Sequence, residues 1–228
     1  MSEKRSFAVI GFGRFGAAAA TTLAELGHEV TGVDTDEERV RRVSDLIAQA
    51  VELDATDEKA LRAAGIHEVD VAIISIGENI EASLLVVMLV QELGVPTIVA
   101  KATTPLHGRI LTKLGVSRVI FPEREMAARV AHSLVVPNVL DYLELSRDFS
   151  IIELPAPPAF VGKTLRQLDL RSRVGLTLVA IRRKSDDNGG EKTLIAPPAD
   201  APIEEHDVLA LLGSNESLAR IDKLLGSS

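Results

Sequence analysis

Apolar and polar positions alternate in blocks along the first 135 residues, and each short aliphatic run is followed by a segment of helical composition. Runs of this kind predict buried strands, and several helical segments stop at a glycine, as helices commonly do. The strands are predicted at 6–10, 28–34, 49–54, 70–76, 97–102 and 117–121. The helices are predicted at 14–26, 36–49, 57–64, 79–93, 105–114 and 123–134. This alternation predicts an α/β fold, a Rossmann-like doubly wound parallel sheet.

The pattern changes near Pro137. Segment 138–145 (NVLDYLEL) has the spacing of a short amphipathic helix. Beyond it, strands are predicted at 149–154, 177–182, 193–196 and 207–212, a turn at 186–190, and helices at 165–168 and 215–225. Short strands with polar turns predict a small α+β C-terminal domain. We therefore expect an N-terminal domain at 1–137, a crossover helix and linker at 138–148, and a C-terminal domain at 149–228.

Composition narrows the class of protein. Apolar residues make up 46% of the chain and charged residues 25%, which is typical of soluble globular proteins. Cysteine is absent, which excludes disulfides and thiol chemistry, and the apolar run Leu84–Val90 is far shorter than a membrane span. With no signal-peptide pattern at the start, these features favour the cytoplasm. The net charge of −8 disfavours nucleic-acid binding, and the basic triplet 182–184 is expected to be a solvated strand end.

A glycine-rich loop carries the strongest chemical signal in the chain. Residues 11–16 read Gly11-Phe12-Gly13-Arg14-Phe15-Gly16, the pattern G-x-G-x-x-G, directly between the first strand and the first helix. The first glycine permits the tight turn, the second lets a pyrophosphate approach, and the third allows close packing of helix on strand. The free N–H groups of the helix start then favour an anion. The loop therefore predicts a nucleotide site.

An acidic residue at the end of the second strand supports this prediction. Asp34 lies 18 residues after Gly16, close to the spacing of the acid that binds a ribose diol. Its charge disfavours a 2′-phosphate, and Thr35 supplies no cation there. NAD, ATP, ADP or AMP is therefore favoured over NADP.

Further candidates lie where later strands end. Asp54, with Ala55, is placed for the adenine edge or the far ribose, although Asp54 fits equally well as a helix N-cap. The loop 76–79 follows the fourth strand, and Glu123 follows the sixth, where a helix N-terminus stabilises a carboxylate without any functional reason. The residues of that loop are Ile76, Gly77, Glu78 and Asn79, the last of which fits a simple capping role.

A catalytic role is not favoured. His107, at the start of a helix beside the fifth strand, is the histidine best placed to serve as an acid–base group. No catalytic pair follows the Rossmann segment, and about 90 residues remain after it, few for a substrate domain. The prediction is a binding domain with a regulatory module rather than an enzyme. The alternatives are an NAD-dependent oxidoreductase and an NAD-sensing module.

The motif G-F-G-R-F-G, with arginine after the second glycine, resembles the RCK (regulator of potassium conductance) domain. The chain is similar to cytosolic subunits of Ktr/Trk-type potassium uptake systems in LDATDE, AIISIGENIEAS, VAKA, VIFPEREMA and NVLDYLEL. The resemblance implies a homodimer that assembles into an octameric ring beneath a potassium-translocating membrane subunit. It further implies that ATP and ADP exchange gates transport, so the chain is peripheral to the membrane through its partner.

The same resemblance assigns roles to individual residues. Arg14 matches a phosphate-facing arginine, and Lys101 is a lesser candidate for the phosphate end. Glu123 matches an acid that, from the neighbouring subunit's side, helps to hold Mg²⁺ or Ca²⁺ near the γ-phosphate. Segment 138–145 resembles a dimer crossover, although ordinary interdomain packing fits its leucines as well. Cyclic di-AMP is a candidate ligand of the C-terminal domain, near Arg171 and Arg173.

Overall fold

The computed structural model describes residues 4–135, 139–184 and 190–219, and the chain separates after Pro122 into two packed units. The domain boundary predicted at residue 137 falls at 136–138, outside the described residues, and stays a prediction. Among the described helices, none combines the length and apolarity needed to cross a membrane.

The first unit contains a six-stranded parallel sheet. Its strands are β1 (Ser6–Ile10), β2 (Glu29–Asp34), β3 (Gln49–Glu52), β4 (Val71–Ile74), β5 (Thr97–Lys101) and β6 (Arg118–Ile120). Their order is β3-β2-β1-β4-β5-β6, which confirms the predicted doubly wound fold. Ile10 of β1 is in register with Val33 on one side and Ile74 on the other. The carboxyl ends of these three central strands are therefore level, and the loops after them meet at one edge.

Helices cover both faces of this sheet. They are α1 (Arg14–Glu25), α2 (Glu37–Val43), α3 (Glu58–Ala63), α4 (Ile80–Glu92) and α5 (Pro105–Lys113). Helix α6 (Pro122–Val135) follows and belongs, from Glu123 on, to the second unit. Strand β1 shows how the faces divide. Ala8 and Ile10 pack in a core with α3, α4 and α5, whereas Val9 packs in a second core with α1 and α2. Alternate side chains of a strand point to opposite faces, so both faces here are apolar.

Most of these helices begin at a side-chain cap. Asp36, Asp57, Asn79 and Thr104 accept a backbone N–H from the first turns of α2, α3, α4 and α5. Such a cap satisfies a donor that the helix itself leaves open. Helix α1 differs from these four because Gly13 stands at its N-cap and provides no side-chain acceptor. The start of α1 thus keeps donors for another acceptor.

The second unit contains a five-stranded antiparallel sheet with short helices. Its elements are β7 (Asp141–Glu144), β8 (Phe149–Pro155), α7 (Leu165–Leu168), α8 (Leu170–Val174), β9 (Thr177–Lys184), β10 (Glu191–Ile195), β11 (Val208–Ser214) and α9 (Asn215–Ala219). The strand order is β10-β9-β11-β8-β7. A separate core of buried residues, among them Ile152, Leu176, Ile181 and Leu209, lies on one face. The predicted α+β character is confirmed.

One buried ion pair ties this unit together. The Nε and Nη2 atoms of Arg183 each donate to a different Asp207 oxygen at 2.8 Å, and Arg183 also pairs with Glu204. Asp207 is fully buried, and its hydrogen bonds raise the pKa of the Arg183 guanidinium. The expectation of a solvated strand end at 182–184 is therefore wrong for Arg183. It holds for Lys184, which is exposed.

Segment 138–145 departs from its prediction. The described part contains strand β7 rather than a helix, paired antiparallel with β8 across a tight turn. Tyr142 points into the core, and its hydroxyl accepts a hydrogen bond from Ser150 at 2.6 Å. The helical spacing of the leucines is misleading here, because pairing with β8 satisfies the backbone and the exposed Leu143 faces away from the core.

Smaller differences concern element ends. Helix α2 stops at Val43 rather than extending to residue 49, and α8 was not predicted. The turn predicted at 186–190 lies mostly outside the described residues, as does the part of the last helix beyond residue 219.

Candidate functional site

The glycine loop adopts a conformation that each of its outer glycines makes possible. Gly11 has a φ of +96°, and its N–H donates to the Val33 carbonyl at 2.8 Å. A Cβ on Gly16 would lie 1.9 Å from the Gly11 carbonyl oxygen, so any side chain would force helix and strand apart. Both glycines serve the packing of α1 against the sheet.

The middle glycine has a different role. A Cβ built on Gly13 meets no atom of the described protein within 4 Å. The space beside the uncapped start of α1 is therefore open, next to the donors and the positive end of the helix dipole. This is the arrangement in which a phosphate binds.

Arg14 begins helix α1 at this open space. Its side chain is exposed and forms no hydrogen bond or ion pair with the described part of the chain. The guanidinium is therefore accessible, and its predicted phosphate contact stays a prediction. Phe15 beside it is half-buried.

Asp34 lies at the same edge, at the end of β2. Its side chain is 6% exposed, and its two carboxylate oxygens accept the N–H groups of Phe12 at 2.6 Å and Asp36 at 2.9 Å. Each carboxylate oxygen has two lone pairs, so both keep capacity for a ribose hydroxyl. Thr35 is exposed and contributes no charge. The structure thus fixes the acid in place by one bond from the glycine loop and one from the start of α2.

Phe12 was predicted among the ligand contacts, but its side chain lies in the α1–α2 core. The ring packs against the backbone of Gly32 in β2, where an added Cβ would lie 2.2 Å from the ring. Only its backbone N–H reaches the site, as the donor to Asp34. Phe12 therefore anchors the loop and leaves ligand contact to its neighbours.

At the end of β3, the capping alternative for Asp54 is wrong. Asp57 caps α3, whereas Asp54 accepts the backbone N–H and the hydroxyl of Thr56 at 2.9 and 2.7 Å. These hydrogen bonds lower the pKa of Asp54. The carboxylate is exposed, and Ala55 beside it is buried.

The loop after β4 meets the end of β5. A Cβ on Gly77 would lie 3.5 Å from the Nζ atom of Lys101, so the ammonium group lies beside the Gly77 backbone. Ile76 is half-buried, and Glu78 is exposed. Asn79 accepts the Ala82 N–H at 3.0 Å, which supports the capping role considered for it.

Glu123 stands exposed in the first turn of α6, within the second unit. No group of three metal-binding side chains occurs among the described residues. The cation assigned to Glu123 stays a prediction.

His107 does not fit the role of an acid–base catalyst. It is 1% exposed, and burial lowers the pKa of its imidazole, which favours the neutral ring. Its Nδ1 lies 3.5 Å from the backbone nitrogen of Thr103. A substrate in solution has no access to this ring.

Sequence reasoning missed one charged residue at the site. Arg39 reaches back from α2, so that its Nη1 lies 3.8 Å from Asp34 and its Nε lies 3.3 Å from Asp36. Its position three residues after the N-cap was the available signal, since one helical turn faces back to the cap. Arg39 therefore places a cation beside the ribose acid, where Thr35 supplies none.

In the second unit, the two arginines considered for cyclic di-AMP are both exposed on α8. Nothing in this geometry selects a dinucleotide. The assignment of that ligand stays a prediction.

Comparisons with known proteins agree with this arrangement. Residues 7–122 match the TrkA-N domain, and residues 149–226 match the TrkA-C domain. Ktr system potassium uptake protein C of Bacillus subtilis is 41% identical over 220 residues, covering 96% of this chain and 97% of that protein. The chain belongs to the Ktr family of potassium uptake proteins.

Other relatives of this Ktr-family chain extend the comparison. Ktr system potassium uptake protein A of Bacillus subtilis is 36% identical and covers 96% of both chains. Among solved structures, the GsuK channel aligns with a TM-score of 0.66 at 19% identity over all of this chain. A GsuK channel bound to NAD aligns with a TM-score of 0.61 at 18% identity. This chain spans 40% of the length of either GsuK chain, and at these identities the likeness shows the fold alone.

Proposed function

We propose that this Ktr-family protein is a cytoplasmic regulatory subunit whose first unit binds ATP or ADP and thereby controls a potassium-translocating membrane partner. The observation that carries the proposal is the open space at Gly13, bordered by the uncapped start of α1 and by Arg14, with Asp34 fixed nearby. Phosphate donors and a ribose acceptor are thus preformed on one edge of the sheet.

The nucleotide then lies along the edge of the sheet that is formed by the carboxyl ends of the strands. Its pyrophosphate takes the space at Gly13, its ribose hydroxyls donate to Asp34, and its terminal phosphates extend toward Arg14. Lys101, beside Gly77, adds a second positive charge on that edge. Because ATP carries more phosphate charge than ADP, this arrangement discriminates between them mainly through Arg14 and Lys101.

A divalent cation is part of the proposal. Mg²⁺ is usually held by one or two carboxylates together with substrate phosphates, and Ca²⁺ also takes oxygen ligands. A single carboxylate such as Glu123, acting from the side of a neighbouring subunit, fits that donor set when the γ-phosphate supplies further oxygens. The cation would therefore bind with ATP more strongly than with ADP.

Self-association is also proposed, as a homodimer that assembles into an octameric ring. Helix α6 supports it, because Met126, Val130 and Leu134 are spaced by four residues and all are exposed. Leu140, Leu143 and Leu145 of the proposed crossover are exposed as well. Apolar patches of this kind often mark protein interfaces.

Titration calorimetry of Arg14→Ala with ATP, ADP and AMP tests the nucleotide site. Loss of a charge-assisted hydrogen bond is expected to weaken ATP binding by about tenfold or more, ADP less, and AMP by less than about twofold. Arg14→Lys keeps the charge, so its affinity for ATP should lie between those of the wild type and Arg14→Ala. An unchanged preference for ATP over AMP would remove Arg14 from the site.

Potassium flux through the membrane partner, reconstituted with this subunit in vesicles, tests regulation. Gating requires ATP and ADP to bind two conformations with different affinity, because a ligand shifts an equilibrium only by that difference. Flux should therefore differ between the two nucleotides. Equal flux at saturating ATP and ADP would contradict regulation while leaving nucleotide binding intact.

An NAD-sensing module is the second candidate, because Asp34 suits the adenosine half of NAD as well as that of ATP. Competition between NAD and ATP at equal concentration decides between them. If NAD displaces ATP, the sensing function is favoured. Hydride turnover would be needed to support an oxidoreductase, and the buried His107 does not favour it.

A further inference from the structure

Arg39 is a charged residue that the phosphate and ribose roles leave unused. Its backbone N–H donates to Asp36 at 3.1 Å, its Nε lies 3.3 Å from the Asp36 carboxylate, and its Nη1 lies 3.8 Å from Asp34. Two carboxylates thus hold the guanidinium at the end of β2. The side chain nevertheless remains 40% exposed.

The geometry leaves a particular part of Arg39 available. Arg39 meets the two carboxylates through its Nε and Nη1 atoms. A guanidinium donates hydrogen bonds in its own plane, so ion pairs made through its nitrogen atoms do not require its flat faces. A face of this kind stacks on aromatic rings and on nucleic-acid bases. Pairing with the acids and stacking on a base are therefore compatible.

The position of Arg39 matches that of the base. With the phosphates at Gly13 and the ribose on Asp34, the base of the proposed nucleotide would lie beyond Asp34 as seen from the start of α1. Arg39, in the helix that follows β2, comes within 3.8 Å of Asp34. The base would reach the guanidinium immediately after the ribose.

We infer that Arg39 is the base-recognition residue of the site, which stacks its guanidinium on the adenine ring and favours purine over pyrimidine nucleotides. This inference rests on the proposed nucleotide function of the first unit. It assigns to the pocket a preference that the glycine loop and the ribose acid do not supply, since both contact parts that all nucleotides share.

The test compares ATP, UTP and inorganic tripolyphosphate by titration calorimetry. Arg39→Ala is expected to weaken ATP binding by about three- to tenfold, the range of a cation–π contact. Binding of UTP should weaken less, and binding of tripolyphosphate should weaken by less than about twofold. Arg39→Lys, charged but not planar, should recover only part of the loss for ATP. Thermal unfolding of each variant checks that it folds.

Arg41→Ala is the matched control. Arg41 lies on the same helix and pairs with Glu37 at 2.8 Å, but it has no contact with Asp34. Its removal should leave the ratio of ATP to UTP affinity unchanged.

Three results would overturn the inference. Equal losses for ATP and tripolyphosphate would show a purely electrostatic role, full recovery by lysine would show that planarity is unimportant, and no loss for ATP would show a structural role. The proposed function fails separately, if the wild-type protein binds ATP no more tightly than tripolyphosphate. In that case the inference fails with it.

Discussion

At the scale of single residues, the three glycines of the loop contribute in two distinct ways. Gly16 is required by the packing of the protein, because an added methyl group would collide with the Gly11 carbonyl. Gly13 has no such constraint within the described protein. A side chain at Gly16 should therefore impair folding, whereas a side chain at Gly13 should impair ligand binding.

We therefore expect Gly16→Ala and Gly13→Ala to separate stability from binding. Gly16→Ala should lower the free energy of unfolding by about 1–3 kcal/mol, the usual cost of overpacking. Gly13→Ala should lower it by less than about 1 kcal/mol, because alanine is only a poorer N-cap than glycine and meets no atom of the described protein. Urea unfolding measures both.

Gly13→Ala should have a large effect on ATP binding, in contrast to its small effect on stability. Its new methyl group enters the space proposed for the pyrophosphate, so ATP affinity should fall by about tenfold or more, equal to at least about 1.4 kcal/mol. If Gly13→Ala binds ATP like the wild type, the phosphate does not lie at this glycine.

The residues of this site differ in how far the sequence alone could place them. The loop glycines and Asp34 follow a spacing rule, so their positions were predictable. Phe12 was not, because the gap that its ring fills is made by Gly32, twenty residues later in another strand. Arg39 was missed for a similar reason, since its contact with Asp34 depends on where the helix begins.

At the scale of elements, Asn79 lies in the predicted binding loop but its observed contact is a helix cap. Asn79→Ala should cost about 0.5–2 kcal/mol of stability through loss of the Ala82 N–H bond, with ATP affinity changed by less than about twofold. Asp57→Ala, which uncaps α3, is the matched control, and chemical denaturation with parallel titrations gives both quantities. A large loss of affinity confined to Asn79→Ala would make Asn79 a ligand contact.

Helix α6 is tied to strand β7 by an ion pair that should make stability depend on acid. The Nε of Arg129 donates to Asp141 at 2.8 Å, and this bond lowers the pKa of the Asp141 carboxyl. A depressed folded pKa adds stability that is present above the unfolded pKa of about 4 and is lost as the pH falls below it.

For Arg129→Met, we expect the free energy of unfolding to depend less on pH in the acid range. Its unfolding free energy should fall less between pH 5 and pH 3 than that of the wild type, with urea titrations at each pH as the measurement. Arg124→Met, in the same helix but outside this pair, should keep the wild-type slope. Parallel curves for wild type and Arg129→Met would contradict the role of the pair.

Strand β7 also shows why element type can escape sequence reasoning. Val139, Leu140 and Leu143 have a spacing compatible with a helix, whereas the strand is stabilised by pairing with β8 and by the buried Tyr142. The first-unit strands were easier to predict because continuous aliphatic runs between glycines carry their own signal. The pairing of β7 with β8 leaves no comparable signal in the sequence of β7 itself.

At the scale of the whole molecule, the two units have separate cores and separate determinants of stability. Calorimetry should therefore resolve two unfolding transitions. ATP at about 100 times its Kd should stabilise one of them by about 2.7 kcal/mol and leave the other in place.

The unfolding transition that ATP leaves in place should respond instead to a substitution in the second unit. Asp207→Asn removes the buried carboxylate that pairs with the half-buried Arg183, and breaking such a pair costs up to about 3–5 kcal/mol. Only the transition that ATP does not move should shift. A single transition that responds to both ATP and Asp207→Asn would show that the units unfold as one.

The contact between Phe12 and Gly32 has a consequence for the timing of the response. Because the ring anchors the glycine loop in the core, we expect no slow ordering step of the loop before a ligand enters. Association should then be rapid and similar for ATP and ADP, so the residence time of the departing nucleotide sets the pace of exchange. A subunit built in this way would follow a change in the cellular ATP-to-ADP ratio as quickly as the bound nucleotide dissociates.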